Sequence, residues 1–428
     1  MSVFLKSLAD ARRAGKPVGI TSVCSAHPLV LEAAMSLAQR QGGPVLIEAT
    51  CNQVNQFGGY TGKTPAQFAS EVLALAEANG VEASNVILGG DHLGPNPWRR
   101  ELAAEAMAKA EVMVADYVKA GFTKIHLDAS MACADDPSAL DDTIVAQRAA
   151  RLARVAERAA REVGTKPLYV LGTEVPVPGG ADHALDVVAP TKARAAKATI
   201  ATHREIFARE GLSEAFDRCI AFVVQPGVEF GNENVVGYRP ELAKELTQVL
   251  DQEAGLVFEA HSTDYQSESA LTALVRDGFP ILKVGPGLTF ALREGLFALD
   301  LIATELDPDY DRDLAVTMER LMLKHRGDWA GHYHGSDEAI RLQLRYSYSD
   351  RIRYYWGYPE AIAAVQKLTH TLHGREISPT LASQFLGRMA DRIGSKDSVD
   401  KIVKTFVGDV LETYSRAAAA FDCSVVRR

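Results

Sequence analysis

A closed (β/α)8 barrel, an α/β fold with a C-terminal helical extension, is the architecture this 428-residue sequence predicts, on three observations. Strand-length, largely apolar and β-branched runs recur eight times, at residues 18–23, 45–49, 86–90, 124–128, 168–173, 220–224, 256–260 and 281–284. Amphipathic segments rich in Ala, Glu, Lys and Arg separate them, as in repeated βα units. The runs are too continuously apolar for a half-exposed sheet and suit strands covered on both faces. Eight strands alternating with helices favour a barrel over an open sheet.

The intervening helices are expected at residues 29–40, 65–79, 104–120, 144–163, 191–209, 240–252 and 267–277, with a closing helix at 289–306. The barrel is therefore assigned to residues 1–306. Residues 307–428, mostly helical in pattern, are expected to pack on it as an extension. At 47% hydrophobic and 24% charged, the composition is that of a globular chain with a large core, which excludes disordered and collagen-like classes. Against 46 Lys and Arg stand 55 Asp and Glu, a net charge of −9 without blocks of either sign, so nucleic-acid and membrane-surface roles lose support. The first fifteen residues carry Lys6, Asp10, Arg12 and Arg13 and lack a signal-type apolar stretch, and no later run reaches membrane-span length, so a cytoplasmic location is expected. Cys24, Cys51, Cys133, Cys219 and Cys423 are scattered without CxxC spacing and are expected as small buried hydrophobes, neither a disulfide framework nor a zinc knuckle.

In such barrels the chemistry sits at the C-terminal ends of the strands. Here strand 1 runs into Cys24-Ser25-Ala26-His27, strand 2 into Glu48-Ala49-Thr50-Cys51-Asn52-Gln53, and strand 3 into Asp91-His92. Strand 4 ends in His126-Leu127-Asp128-Ala129-Ser130, strand 5 in Thr173-Glu174, and strand 6 in Gln225-Pro226-Gly227-Val228-Glu229. Strand 7 ends in Glu259-Ala260-His261-Ser262-Thr263-Asp264, and strand 8 in Lys283-Val284-Gly285-Pro286-Gly287. Any one of these stretches is an ordinary capped turn, but eight on one rim point to a site.

Asp91-His92 is the sharpest pair, placing a proton-transfer group beside a metal ligand. A helix-capping Asp followed by a loop His is the plainer account. His261 is a second candidate ligand, and Glu174 a third ligand or a base. Such a set suits zinc, manganese or another divalent ion. His126 shares a strand face with Asp128, and core packing explains it equally well. Asp91, Asp128 and Glu174 are the candidate acid–base groups. Ser25, Glu48, Asn52, Gln53, Gln225 and Glu229 are candidate substrate contacts. Gly285 and Gly287 open a helix whose backbone N–H groups suit a phosphate, with Ser262, Thr263 and Lys283 nearby and Arg351 and Arg353 as further cations; a tight turn and an aromatic–arginine packing cluster account for the same residues. Neither GxxxxGK[ST] nor a strand-following GxGxxG occurs, so no nucleotide cofactor is expected.

At SVCSAHPLV from Ser22, LIEATCNQVNQFGGYTG from Leu46, ILGGDHLGPN from Ile87, KIHLDAS from Lys124, GTEVPVPGG from Gly172, VVQPGVEF from Val223, EAHSTDYQ from Glu259, LKVGPGLTFALRE from Leu282 and YSDRIRYYW from Tyr348, the chain resembles the GatZ/KbaZ family over nearly its whole length. The resemblance implies a barrel protein of tagatose phosphate and galactitol metabolism acting on a sugar phosphate. That family is described both as a 4-epimerase of ketohexose 6-phosphates and as an accessory subunit of a zinc aldolase; the full polar rim favours a metal-dependent 4-epimerase interconverting tagatose 6-phosphate and fructose 6-phosphate by retro-aldol and aldol steps, the alternative being a non-catalytic subunit stabilising a class II tagatose-1,6-bisphosphate aldolase. A homo-oligomer is compatible with either. The chain is also similar, more faintly, to class II aldolases, whose catalytic acid and zinc ligand after strand 3 match Asp91 and His92, and whose strand-7 histidine matches His261. Their strand-6 histidine falls near Pro226 here, and the carboxylate expected just beyond Asp128-Ala129-Ser130 is replaced by Met131. An aldolase-type three-histidine site is therefore not expected, while a different metal site stays open.

Overall fold

In this computed structural model residues 2–172 and 188–419 are described. The chain enters through α1 (Ser2–Arg13), then β1 (Ile20–Val23), α2 (Pro28–Gln41), β2 (Val45–Thr50), α3 (Pro65–Ala78), β3 (Val86–Leu93), α4 (Ala103–Lys119), β4 (Lys124–Leu127), α5 (Asp142–Val163) and β5 (Leu168–Gly172). Next come α6 (Ala193–Arg209), the one-turn α7 (Ser213–Phe216), β6 (Cys219–Val223), a hairpin of β7 (Glu229–Phe230) and β8 (Val235–Val236), α8 (Pro240–Thr247), β9 (Val257–Ala260), α9 (Glu268–Arg276), β10 (Ile281–Val284) and α10 (Pro286–Leu306). The tail is helical: α11 (Asp313–Lys324), α12 (Asp337–Tyr346), α13 (Pro359–Leu372), α14 (Pro379–Phe385) and α15 (Val399–Ala419). Eight parallel strands close in the order β1-β10-β9-β6-β5-β4-β3-β2, the predicted barrel.

Local chemistry explains the element ends. Pro28 opens α2, and Gly42, at φ 67°, ends it by donating its N–H to Ala38 O at 2.8 Å. Thr64 and Gln67 form a reciprocal capping box on α3, and the Asp141 side chain caps α5. The structure departs from the sequence reading in three places. The third strand continues to Leu93 and so carries Asp91 and His92 on the strand end itself. The helix expected over 240–252 becomes 3-10 after Thr247. Helix α1, whose charges mask a short apolar face, was not anticipated; Leu5, Leu8 and Ala9 plug the barrel bottom against Ile20, Leu46, Ile87, Val170, Ile220 and Ile281.

The last helix, α15, packs against α2, α9, α10 and β1, and its Val403, Val407 and Leu411 belong to the same apolar core as the barrel helices. Gly19 meets it closely: its N–H donates to Ala418 O at 2.9 Å, and a Cβ there would lie 2.8 Å from Pro280 O.

Above the apolar plug the inward face turns ionic. Lys124 Nζ lies 2.7 Å from Glu48 Oε1 and 2.8 Å from Glu259 Oε2, and Lys283 Nζ lies 2.8 Å from Glu48 Oε2 and 2.6 Å from Asp91 Oδ1. Gly89 makes room for this layer, since a Cβ there would lie 2.7 Å from Glu48 Cγ. Removing one partner of such a buried set strands the others. Lys124→Met should therefore lower the unfolding free energy by about 3–5 kcal/mol, read from urea denaturation, and a loss below about 1 kcal/mol would show that the layer is not ionised as paired.

Candidate metal centre and ligand pocket

The period-2 alternation of strands carries the ionic layer up to the rim: Lys124, His126 and Asp128 follow one another on one inward face, as do Glu259 and His261. The His92 and His261 rings lie 4.7 Å apart, His92 and His126 4.9 Å, and His126 and His261 5.4 Å, centre to centre. With Asp91 they bring four donor atoms within 4.8 Å of one another. Three imidazoles thus meet after all. The third comes from His126 on β4, not from the strand-6 position near Pro226.

One nitrogen of each ring faces an oxygen acceptor. His92 Nδ1 donates to Asp128 Oδ2 at 3.0 Å, His126 Nε2 to the Gly172 carbonyl at 3.0 Å, and His261 Nε2 to Glu259 Oε1 at 3.0 Å. Carbonyl and carboxylate acceptors on one nitrogen fix the tautomer of each ring, and His126 Nδ1 in addition accepts from the His92 N–H at 3.2 Å and lies 2.9 Å from Asp91 Oδ1. Around the rings stand four carboxylates, Glu48, Asp91, Asp128 and Glu259, against two ammonium groups, Lys124 and Lys283. That surplus of negative charge and the imidazole–carboxylate donor set both fit a divalent cation.

The titration behaviour follows the same charges. Burial works against the Asp91 carboxylate, but His92, Lys283 and His126 outweigh it and hold its pKa well below the usual range. Burial likewise opposes ionisation of Asp128, yet the His92 hydrogen bond and charge bring it down to about 2. For His92, burial is outweighed by Asp91 and Asp128, and its pKa is raised. Burial lowers His261 to about 3, so its ring is neutral. His92 and Ser262, each at a strand end, adopt left-handed backbone at φ 49° and 51°, a conformation that non-glycine residues hold only when their surroundings impose it.

A cavity of about 260 Å³ opens over the cluster. Its walls include Ser25, Asn52, Gln53, Asp91, His92, Asp128, His261, Ser262, Lys283, Gly285, Arg351 and Arg353, which brings together most of the predicted site. Others sit elsewhere. Glu48 lies beneath the floor, bound to the two lysines. Gln225 Oε1 accepts from Gly227 and Val228 N–H at 2.8 and 2.9 Å and builds its own turn, while Glu229 Oε1 accepts from Phe230 N–H at 2.9 Å. Neither residue lines the cavity. Thr263 turns outward, its hydroxyl donating to Lys283 O at 2.5 Å beside the Tyr414 hydroxyl. Glu174 falls outside the described residues, as does Cys423. Cys51, Cys133 and Cys219 are buried as expected, whereas Cys24 reaches the cavity wall.

The phosphate expectation is corrected at one point. The N–H groups of Gly285 and Gly287 both donate to Asp264 Oδ1, at 2.9 and 2.7 Å, so the start of α10 is already filled by a carboxylate. Sequence reasoning passed over Asp264, although it follows His261 by three residues. It also undervalued His126, whose shared face with Asp128 was the available signal.

Arg351 and Arg353 reach the cavity from a strap in the tail. The Tyr265 hydroxyl donates to Tyr348 O at 2.6 Å, the Ser347 and Ser349 hydroxyls to Asn232 Oδ1 at 3.0 and 2.9 Å, and the Thr289 hydroxyl to Asp350 Oδ2 at 2.5 Å. Arg353 Nη2 donates to the Tyr354 hydroxyl at 2.7 Å.

A barrel with an imidazole–carboxylate cluster at the C-terminal rim places the chain among TIM-barrel proteins with a candidate metal site at the mouth. More specifically, residues 5–419 match the family described as D-tagatose-1,6-bisphosphate aldolase subunit GatZ/KbaZ-like, and the chain belongs to that family. It is 62% identical over 419 residues to "D-tagatose 6-phosphate 4-epimerase" of Agrobacterium fabrum, covering 97% of this chain and 99% of that protein. A crystal structure of "a probable tagatose 6 phosphate kinase from Sinorhizobium meliloti 1021" is similar at TM-score 0.86 and 52% identity, over 93% of this chain and 100% of the other. Among the described residues no helix is long and apolar enough to cross a membrane.

Asp350 offers a test of the strap. Burial raises its carboxyl to about 6, against the partial relief of Arg293. A carboxyl that holds its proton more tightly folded than unfolded favours folding at low pH and costs stability as pH rises through the folded pKa. Asp350 sits at φ 46°, which Asn tolerates. Between pH 5 and pH 8 the unfolding free energy of Asp350→Asn should therefore gain on wild type by about 1–1.5 kcal/mol. Parallel stability curves for the two proteins would refute the assignment.

Proposed function

We propose that this chain is a metal-dependent 4-epimerase that interconverts tagatose 6-phosphate and fructose 6-phosphate by retro-aldol and aldol steps. The observation that carries the reading is the convergence of His92, His126, His261 and Asp91 at the mouth, each ring oriented by a partner of its own. The three histidines are the proposed ligands, with Glu174 as a further ligand or a base, and zinc or manganese suits them. When bound, the ion supplies Lewis-acid stabilisation of negative charge at the substrate's C2 oxygen.

The chemistry explains why an aldolase-like site fits an epimerase. The C4–H of a 2-ketose is not adjacent to the carbonyl and is not acidic, so direct deprotonation is closed. Transient oxidation calls for a dinucleotide, and the sequence holds no such motif. Cleavage of C3–C4 needs only a base for the C4 hydroxyl: its proton leaves, C4 becomes an aldehyde carbon, and the C3–C4 electrons pass toward C2 as an enediolate. After the aldehyde turns its other face, the same steps in reverse set the opposite C4 configuration.

Asp128 and Asp91, with Glu174, are the proposed proton carriers. Asp128 has a relay in place, since it accepts from His92 Nδ1 at 3.0 Å and from the Ser130 hydroxyl at 2.6 Å. The Lys283 ammonium beside Asp91 adds positive charge where oxyanions develop. Ser25, Asn52 and Gln53 on the wall are proposed to hold sugar hydroxyls, and Arg351 and Arg353 the phosphate. Phosphoryl transfer, which the name of the Sinorhizobium protein carries, finds no nucleotide motif in this sequence.

The test is the purified chain alone with tagatose 6-phosphate, with and without divalent metal and chelator, the C4 configuration followed by NMR. Metal-dependent appearance of fructose 6-phosphate is expected, and Asp91→Asn should lower turnover by about 10²–10⁴-fold with the fold intact. No conversion under any metal, together with activation of a separate class II aldolase on mixing, would assign the accessory-subunit role instead.

A further inference from the structure

A helix start with two free N–H groups beside a sugar-phosphate pocket is a natural seat for a phosphate. Here that seat is taken. Asp264 Oδ1 accepts both N–H groups, the residue is 2% exposed, and it shares the cavity wall with Gly285 and Pro286. The fit is made on both sides. A Cβ at Gly287 would lie 3.1 Å from Asp264 Oδ1, tighter than side chains normally pack, so glycine there admits the carboxylate. Ser262 and Tyr265 flank Asp264 with left-handed backbone, φ 51° and 63°, which turns its side chain back onto the helix start.

The remaining cations on the wall are few. Among the described residues lining the cavity they are Lys283, Arg351 and Arg353. Lys283 is engaged with Glu48 at 2.8 Å and Asp91 at 2.6 Å, which leaves the two arginines for an anion. A second phosphate would have to evict a buried carboxylate from its two donors or stand beside it, anion against anion.

Building on the sugar-phosphate reading above, we propose that Asp264 is a specificity-determining residue: by filling the anion seat at the start of α10 it makes the site accept a ketohexose with one phosphate and reject one with two. The same carboxylate offers an acceptor for a sugar hydroxyl in place of the missing phosphate.

The experiment compares the binding of fructose 6-phosphate and fructose 1,6-bisphosphate by calorimetry, with the full chain in its metal-loaded form. Wild type should favour the monophosphate at least tenfold. Asp264→Gly, which frees both N–H groups and removes the charge, should narrow that ratio tenfold or more and bring measurable binding of inorganic phosphate. Asp264→Asn keeps an oxygen on the two donors without the charge; it should fold normally and narrow the ratio at least threefold. Equal affinity of wild type for the two sugars, or an unchanged ratio in a folded Asp264→Asn, overturns the role of Asp264 while leaving the epimerase reading intact. Failure of both sugars to bind wild type overturns the two readings together. Because the readout is binding, absence of turnover alone leaves this test standing.

Discussion

Four side chains buried inside the barrel, Glu48, Lys124, Glu259 and Lys283, set the terms for everything above them. Each is at most 5% exposed, and each charge is met by at least one opposite charge. An apolar layer of the same volume would cost less to bury, because desolvating charges offsets most of their mutual attraction. What the ionic layer provides is orientation. Glu259 holds the His261 ring, and Lys283 holds Asp91, which in turn stands 2.9 Å from His126 Nδ1. The metal-type cluster is therefore the upper surface of a buried electrostatic network whose lower surface rests on the apolar plug of α1.

The same network accounts for the unusual titration behaviour at the mouth. Against burial, His92, Lys283 and His126 keep Asp91 ionised and the His92 hydrogen bond and charge keep Asp128 ionised, while those two carboxylates in turn raise the pKa of His92 and so favour its protonated form. A divalent ion and that proton compete for the same negative field, so pocket charge and ligand protonation are coupled through one set of residues. Left-handed backbone at His92 and Ser262 fits this picture, since local conformational cost is tolerated where the surroundings over-determine the geometry.

Much of this was legible in the residues. The eight strands and their polar C-terminal ends follow from periodicity and turn chemistry, and Asp91-His92 with His261 stood out because histidines and carboxylates at strand ends have few other uses in a barrel. What stayed hidden needed three dimensions. His126 lies inside a strand, where a core residue and a ligand look alike; only the closure of the barrel brings it to within 5.4 Å of His261. Gln225 and Glu229 carry the right atoms at the right strand end, but each turns one oxygen onto backbone N–H groups within a few residues of its own position and stays off the cavity wall. The Gly-Pro-Gly start of α10 has the composition of a phosphate cradle, and no local rule reveals that Asp264, 21 residues before Gly285, occupies it. Composition reports what a segment can bind, whereas tertiary packing decides what reaches it first.

The tail completes the pocket, which the barrel alone does not make. Arg351 and Arg353 come from beyond the last strand, and they face the cavity only because the strap carrying them is tied down on several sides. Asn232 in the β7–β8 hairpin accepts from Ser347 and Ser349, Tyr265 after β9 donates to Tyr348 O, Thr289 in α10 holds Asp350, and the Tyr333 hydroxyl accepts from Arg351 N–H at 3.2 Å. Loops from two strand ends, the last barrel helix and the tail thus converge on a segment of about eight residues, which is why the aromatic and arginine character of that segment reads ambiguously in sequence as packing or as function. It is both. The aromatic contacts of Tyr265 with Tyr348 and Phe290, at 4.4 and 5.5 Å between centres, supply the rigidity that holds the arginines at the cavity wall, while α15 anchors the tail against the barrel wall through the Tyr414 hydroxyl on Thr263 O at 2.5 Å. Rigid cations on one side and a pre-filled helix start on the other give the mouth a defined polarity, and that polarity, more than the fold, is what distinguishes this barrel's pocket from a generic phosphate site.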